Sequence, residues 1–292
     1  MNNSWIEKNI WKIFIAPTVI FIIVMVVFPL GYTIYLSITE WSMGVTPPNF
    51  IGLENYKSLL QDERFMSAVG RTLYLAFFSV IIELVLGMLI ALFLNRNFHG
   101  KNLVKTLFLL PMVATPIAIG MVWLLIYEPT LGIANYFLKA LDLDPVLWLI
   151  EPSTVLNSLL IIEVWEWTPM VMLIILAGLA VIPADPVESA VVDGANKWQI
   201  FTKITLPLIS PIIITGALLR MIDALKSFDI IYSTTQGGPM YVSETLNIMS
   251  YIVSFSYFEM GKGSALIVLF LGVIGIVSAL MIWIKSKLGV EN

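Results

Sequence analysis

The segment VESAVVDGANKWQIFTKITLPLISP, residues 187–211, stands between two strongly apolar stretches, VWEWTPMVMLIILAGLAVI before it and IIITGALLRMIDAL after it. It carries Glu188, Asp193, Lys197 and Lys203, with small residues gathered around Gly194. Two helix starts are written here. Asp185 is placed to cap a first helix, with Pro186 at its first position and Glu188 three residues after the cap, the spacing of a capping box. Gly194, after Asp193, suits a left-handed helix end. Asn196 can cap again, with Gln199 three residues on, and Trp198, Phe201 and Ile204 recur at helical spacing. The expectation is a short helix, a glycine hinge, a second amphipathic helix, and then Leu206–Pro207 leading into an apolar span. Ser189, Ala190, Gly194 and Ala195 give the first half a small face that another surface can approach closely. On composition alone the segment reads equally as a helical loop.

The rest of the chain says which solvent it lives in. Of 292 residues, 59% are hydrophobic and 12% charged, with a mean hydropathy of +0.91. Soluble domains average about 45–50% apolar and about 25% charged, so a bilayer has to take up this surface. Net charge is −4 with no basic tract, which argues against nucleic acid. There is no cysteine, hence no disulfide, thiolate metal site or thiol nucleophile, and the lone His99 makes a histidine-based metal site implausible. The N-terminal apolar run is too long, and too interrupted by Pro17 and Pro29, for a cleaved signal peptide, so it reads as a retained first span.

Apolar runs long enough to span a membrane, about 20 residues each, fall at about 13–36, 72–95, 104–127, 155–182, 207–227 and 264–284. Backbone groups in lipid must bond within their own segment, so each span is expected to be a helix. The fold class is therefore an all-α membrane protein with six transmembrane helices. Residues 1–12 form an N-terminal segment, with Trp5 to Trp11 suited to the membrane surface, and 13–292 form one transmembrane domain. With the N-terminus inside, the inner segments hold Lys8, Lys12, Arg96, Lys101, Lys105, Lys197, Lys203, Lys285 and Lys287, nine cations against five in the much longer outer segments. By the positive-inside rule both termini and the 183–206 segment are expected in the cytoplasm. The outer segments have room for short helices. In PPNFIGLENYKSLLQDERF a turn is expected to lead into a helix with Leu53, Tyr56, Leu59 and Leu60 on one face, serving either as a cap or as a docking surface.

Residues 188–207 resemble the EAA signature of permease subunits of bacterial ATP-binding-cassette (ABC) importers. The family pattern is Glu-Ala-Ala, three residues, Gly, nine residues, then Ile-x-Leu-Pro. Here it stands as Glu188-Ser189-Ala190, Gly194, and Ile204-Thr205-Leu206-Pro207, with Ser189 as the one departure. Asp193-Gly194-Ala195, TLPLISP, the early FIGLENY and the late segment at 228–265, with its Phe-Asp, Gly-Gly-Pro, Glu-Thr-Leu and Gly-x-x-Ser-Ala marks, resemble the carbohydrate-uptake branch. The resemblance implies a type I importer transmembrane domain, with residues 183–206 as a cytoplasmic coupling helix between spans 4 and 5. Glu188, Ser189, Ala190, Asp193, Gly194, Ala195, Leu206 and Pro207 would then meet an ATPase. The implied partners are a second homologous permease forming a heterodimer, two ATP-binding subunits and an extracytoplasmic solute-binding protein, all at the cell membrane. ATP and Mg would sit on the ATPase subunits, with no cofactor in this chain; no phosphate-binding Gly-x-x-x-x-Gly-Lys-Ser/Thr run occurs. The family pairs the motif's Glu with a cation on the ATPase, whereas the residues themselves suggest that Glu188 caps its own helix.

Ionisable groups inside spans are costly and face cavities or partners. Glu163, Glu166, Trp167 and Met170 share a face of the fourth span, with Asn157 two turns earlier, and Asp223, Lys226 and Asp229 follow at the end of the fifth. Carboxylates beside an indole suit hydroxyl-rich solutes, so these residues mark a substrate path. Alternatively Glu163 pairs with Arg220, and Asp223 with Lys226. Glu83 reads as a helix–helix contact. The excess of acids favours a neutral sugar or polyol over an anion, although a glycerol-phosphate-like solute in the same importer architecture stays open. A self-contained secondary transporter would call for internal repeats, and none is evident. An intramembrane enzyme would need a catalytic set that is missing: there is no H-E-x-x-H and no Gly-x-Ser-x-Gly.

Overall fold

The computed structural model describes residues 4–45 and 47–287. Helix α1 (Ser4–Ile22) passes through a π-helical turn, Ile23–Val27, into α2 (Phe28–Ser37). A two-residue antiparallel ladder, β1 (Thr39–Glu40) with β2 (Asn49–Phe50), precedes α3 (Glu54–Leu60) and α4 (Glu63–Leu94). Then come α5 (Lys101–Val113), α6 (Pro116–Ile126), α7 (Ile133–Ala140), α8 (Val155–Ala180) and α9 (Ala184–Val192). Helix α10 (Lys197–Ile200) continues through a π turn, Phe201–Thr205, into α11 (Leu206–Leu225). Helices α12 (Asp229–Thr234), α13 (Leu246–Tyr251) and α14 (Met260–Lys287) complete the chain. Of the N-terminal segment 1–12, residues 1–3 lie outside the described residues, and from Ser4 onward the chain is one helix with the first span.

Among the described residues, five helices are long and apolar enough to cross a membrane: Asn9–Ser37, Glu63–Leu94, Val155–Ala180, Lys197–Thr234 and Met260–Lys287. The expected third span is not continuous. It is the pair α5 and α6, bent by 98°. The break follows from Pro116, which disfavours helical backbone in the residue before it. Thr115 (ψ 139°) and Ala114 (ψ 152°) are both extended. Counted as one broken span, the pair brings the number to six. The fifth span differs as well, since its helix begins at Lys197, ten residues ahead of Pro207. The expected second amphipathic helix is the first part of that span rather than a separate element.

The chain forms two compact units, Met1–Phe65 with Met249–Gly272 and Met66–Ile248 with Val273–Asn292. In the first, the buried Asn55 ties the outer segment together: its Nδ2 donates to the carbonyls of Ser37 and Thr39, each at 2.9 Å. The hydroxyls of Ser37 and Tyr56 meet at 2.6 Å. The expected face of α3 is only partly correct. Leu59 is fully buried, but Leu53 and Leu60 are 70% and 56% exposed. Gly52, with φ +64°, turns the chain so that Leu53 falls outside the helix, and the inward face is Asn55, Tyr56 and Leu59. Gly261 lies against the Thr39 carbonyl, where an added Cβ would collide with the oxygen.

The second unit is built on α8. Its glycine contacts let backbones close in, as lipid-embedded helices require. A Cβ on Gly87 (α4) would meet Val171 Cγ1 at 2.9 Å, and one on Gly216 (α11) would meet Ile174 Cγ2 at 2.9 Å. Ala91, Leu94, Val171, Met172, Ile175, Leu179 and Ile209 form the buried cluster joining these three helices. Gly87→Val would overpack this contact against a backbone nitrogen at 3.0 Å, and a destabilisation of about 1–3 kcal/mol is expected. Thermal unfolding of the purified protein in detergent checks this; an unchanged midpoint would mean that α4 and α8 can separate freely.

Candidate functional site

The segment from Pro183 to Pro207 holds an exposed helix, α9, with a joint at each end, followed by the start of the fifth-span helix. Pro183, with ψ 145°, is the N-cap of α9, and no side chain caps it. The expected Asp185 cap is therefore corrected. The extended backbone at Pro183 starts the helix at Ala184, so Asp185 already lies inside the first turn, and Pro186 has no N–H to offer. Glu188 is exposed and its side chain makes no hydrogen bond within the described residues; the capping box read from Asp185 and Glu188 does not form.

The C-terminal end follows the expectation. Gly194 has φ +80°. Its N–H donates to Val191 O at 3.1 Å, and Ala195 N–H donates to Ala190 O at 2.9 Å, the paired bonds of a Schellman ending. The second cap forms too. Gln199 N–H donates to Asn196 Oδ1 at 2.9 Å and Asn196 N–H to Gln199 Oε1 at 2.8 Å, a reciprocal capping box. Asn196→Ala should destabilise the start of this helix by about 1 kcal/mol, read as faster amide exchange over residues 197–200; unchanged protection would show the cap to be dispensable. Ser189, Asp193 and Gly194 are exposed, Val192 is 87% exposed, and Ala190, Ala195 and Leu206 are half-buried, with Pro207 exposed.

The ionisable groups of the spans meet at one place. Arg220 of α11 is 1% exposed. Its Nε and Nη2 donate to the two carboxylate oxygens of Glu83 (α4) at 2.8 and 2.9 Å, and Nη2 also donates to Glu163 (α8) at 2.6 Å. Ser227 Oγ donates to the other Glu163 oxygen at 3.0 Å. The Trp167 ring lies 5.0 Å from the guanidinium carbon. One cation thus ties three spans, with the two-pronged geometry that makes Arg–carboxylate pairs strong. Glu83 is the helix–helix contact expected of it, and the Glu163–Arg220 and Asp223–Lys226 pairings both form, the latter at 3.0 Å between exposed groups.

Beside this network lies a cavity of about 360 Å³. It is lined by Glu163, Glu166, Trp167, Asp223, Lys226 and Asp229, six of the seven residues proposed for the path, together with Arg220 and four that the sequence reading missed: Pro116, Ser227, Phe228 and Ile230. Asn157 does not join them; it is exposed and accepts from the Tyr74 hydroxyl at 2.7 Å. The break before Pro116 was the available signal for the missed wall. A larger cavity of about 900 Å³ between α4, α5 and α8 holds no ionisable group. Its Thr168 hydroxyl is spent on Val164 O at 2.6 Å. Outside the spans, Glu128 accepts from the N–H groups of Leu131 and Thr130, which hold its carboxyl below the usual carboxylate range.

The model of the family described as "Binding-protein-dependent transport system inner membrane component" matches residues 83–289. The chain belongs to this family. It is thus an ABC transporter permease, a transport component rather than a catalytic enzyme. Among curated relatives, "Probable ABC transporter permease protein y4oQ" of Sinorhizobium fredii is 38% identical over 280 residues, covering 95% of this chain and 90% of the relative. "Trehalose/maltose transport system permease protein MalF" of Thermococcus litoralis is 34% identical over 266 residues, covering 90% and 89%. "Trehalose transport system permease protein SugA" of Mycobacterium tuberculosis is 36% identical over 279 residues, covering 94% and 88%. Among solved structures, a chain of a bacterial alginate ABC transporter in complex with alginate pentasaccharide-bound periplasmic protein superposes with a TM-score of 0.84 at 21% identity, covering 98% of each chain. That likeness establishes the fold, the type I importer transmembrane fold.

Proposed function

We propose that this permease is the transmembrane subunit of an ATP-driven importer for a sugar or oligosaccharide delivered by an extracytoplasmic solute-binding protein. The observation that carries this reading is α9. It is an exposed helix with a jointed start and end, and its Glu188, Ser189, Asp193 and Gly194 side are turned to solvent. A surface so placed suits the cleft of a cytoplasmic ATPase. In this reading two ATP-binding subunits carry ATP and Mg, a second homologous permease completes the path, and ATPase closure rocks the spans between inward- and outward-facing states. Glu188, with no capping duty, is available for a cation on the ATPase. The cavity beside Arg220 is the solute path, and the sugar-named relatives support a saccharide. The test is co-expression with the cognate partners and ATP-dependent uptake in proteoliposomes. Transport by this chain alone, without ATP, would overturn the reading.

Orientation is testable on its own because the chain has no cysteine. Val192→Cys and Leu131→Cys introduce single thiols at positions 87% and 89% exposed. With both termini cytoplasmic, an impermeant maleimide should label the first only after membrane disruption and the second in intact cells. The opposite pattern would invert the topology.

A further inference from the structure

We propose that the saccharide passing through this path carries a positive charge: an amino sugar, or an oligosaccharide containing one. The inference rests on the importer reading and specifies the solute of the same cavity. Its basis is the charge balance around the 360 Å³ space.

Both cations at the cavity are already engaged. Arg220 is shared by two carboxylates, Glu83 and Glu163, so its charge is more than answered. Lys226 Nζ stands 3.0 Å from Asp223. Among the described residues, two carboxylates of the cavity remain without a counter-ion. Glu166 is 1% exposed, lines the cavity, and its Oε2 has no hydrogen-bond partner. Asp229 lines the same cavity from the first turn of α12. A buried carboxyl group without a partner is costly in its ionised form, which a cation arriving in the cavity would stabilise.

The nature of that arrival is set by the groups present. An anionic solute would meet Glu166 and Asp229 with no free cation to offset them. A neutral hydroxyl can share one hydrogen bond with the carboxyl group but brings no charge to stabilise its ionised form. An ammonium supplies three donors and the opposite charge together, and charge-assisted hydrogen bonds are the stronger class. The remaining wall fits a sugar ring. Phe228, stacked on Tyr232 at 5.1 Å and an interplanar angle of 13°, offers an aromatic surface, while one side of Trp167 is taken by Arg220. The volume lies within the range of small-molecule sites, about 300–1,000 Å³. An ammonium at Glu166, with its ring against Phe228, uses each of these features.

Relatives named for trehalose and maltose make those neutral disaccharides the decisive comparison. The complete importer, with its solute-binding protein, is reconstituted in proteoliposomes. ATP-dependent uptake is measured for trehalose, maltose, their analogues with one hydroxyl replaced by an amine, and a glucosamine disaccharide. At least one amine-bearing solute should be taken up about tenfold better than its neutral counterpart, the lower range for a charge-assisted hydrogen bond. In Glu166→Gln and Asp229→Asn that amine-to-neutral ratio should fall towards one, with complex assembly checked by size-exclusion chromatography. Equal or better uptake of the neutral sugars by the unaltered importer overturns the inference and leaves the importer reading standing. A ratio that survives both substitutions also overturns it. ATP-dependent uptake of none of these solutes counts against both.

Discussion

Replacing Arg220 by methionine is expected to cost about 3–5 kcal/mol of stability, the range for removing one partner of a buried ion pair. The side chain is 1% exposed, and its removal leaves Glu83 (0% exposed) and Glu163 (8%) at the junction of α4, α8 and α11 with no cation. Methionine keeps much of the length but answers neither carboxylate. Lysine should rescue only partly, because an ammonium cannot reproduce the two-pronged grip on Glu83. The informative comparison is the triple variant Arg220→Met, Glu83→Gln, Glu163→Gln, which removes the stranded charge and should recover most of the loss. Thermal unfolding in detergent measures all three. A single Arg220→Met variant as stable as the original would mean that the network does not hold the spans together.

Gly194→Asp should leave membrane insertion intact and abolish uptake. An added Cβ meets no atom within 4 Å, so crowding inside the chain is not the cause. The backbone at φ +80° disfavours a side chain by about 1–2 kcal/mol, a modest strain for an exposed joint, and Asp tolerates this region better than most residues. The larger effect is expected outside the chain, where a carboxylate would project from the small surface that the proposed coupling role places against an ATPase. Expression level and detergent stability should therefore stay near those of the original protein, while ATP-dependent uptake falls to background. Normal uptake would remove the coupling role from this joint. Loss of expression instead would place the effect in folding.

What the sequence made legible, and what it did not, divides along physical lines. Local chemistry was readable: Asn196 with Gln199, and Gly194 after Asp193, form the expected cap and ending because those devices depend on neighbours in the chain. Apolar length located the spans for the same reason. The sequence misjudged places where two local rules compete. Asp185 is a good cap and Pro183 a good start, and the extended backbone at Pro183 prevailed. Leu53 looked like part of a helical face until Gly52 turned the chain. The site was legible as residue types, because buried acids on one face of α8 need a reason to be there. Its walls were not, because Pro116 and Phe228 come from elements whose meeting no spacing announces. Asn157 shared the helical face yet was drawn off by Tyr74, an encounter across 83 residues that periodicity cannot foresee.

The two sides of Gly194 differ mechanically. Before it, α9 is set off from α8 by the extended backbone at Pro183, and from α10 by the left-handed turn, so it can tilt without bending a span. After it, helix runs unbroken from Lys197 through the π turn to Leu225, and Arg220 rides on that same helix 23 positions along, roughly 35 Å at the usual helical rise. A torque applied near Trp198 would therefore reach the guanidinium with no joint to absorb it. The fourth span would feel the same torque through Ile174 and the apolar cluster around Ile209 as well as through Glu163. Force would enter the bundle along one strut, and the glycine seams and the ion-pair junction are where it would be shared out.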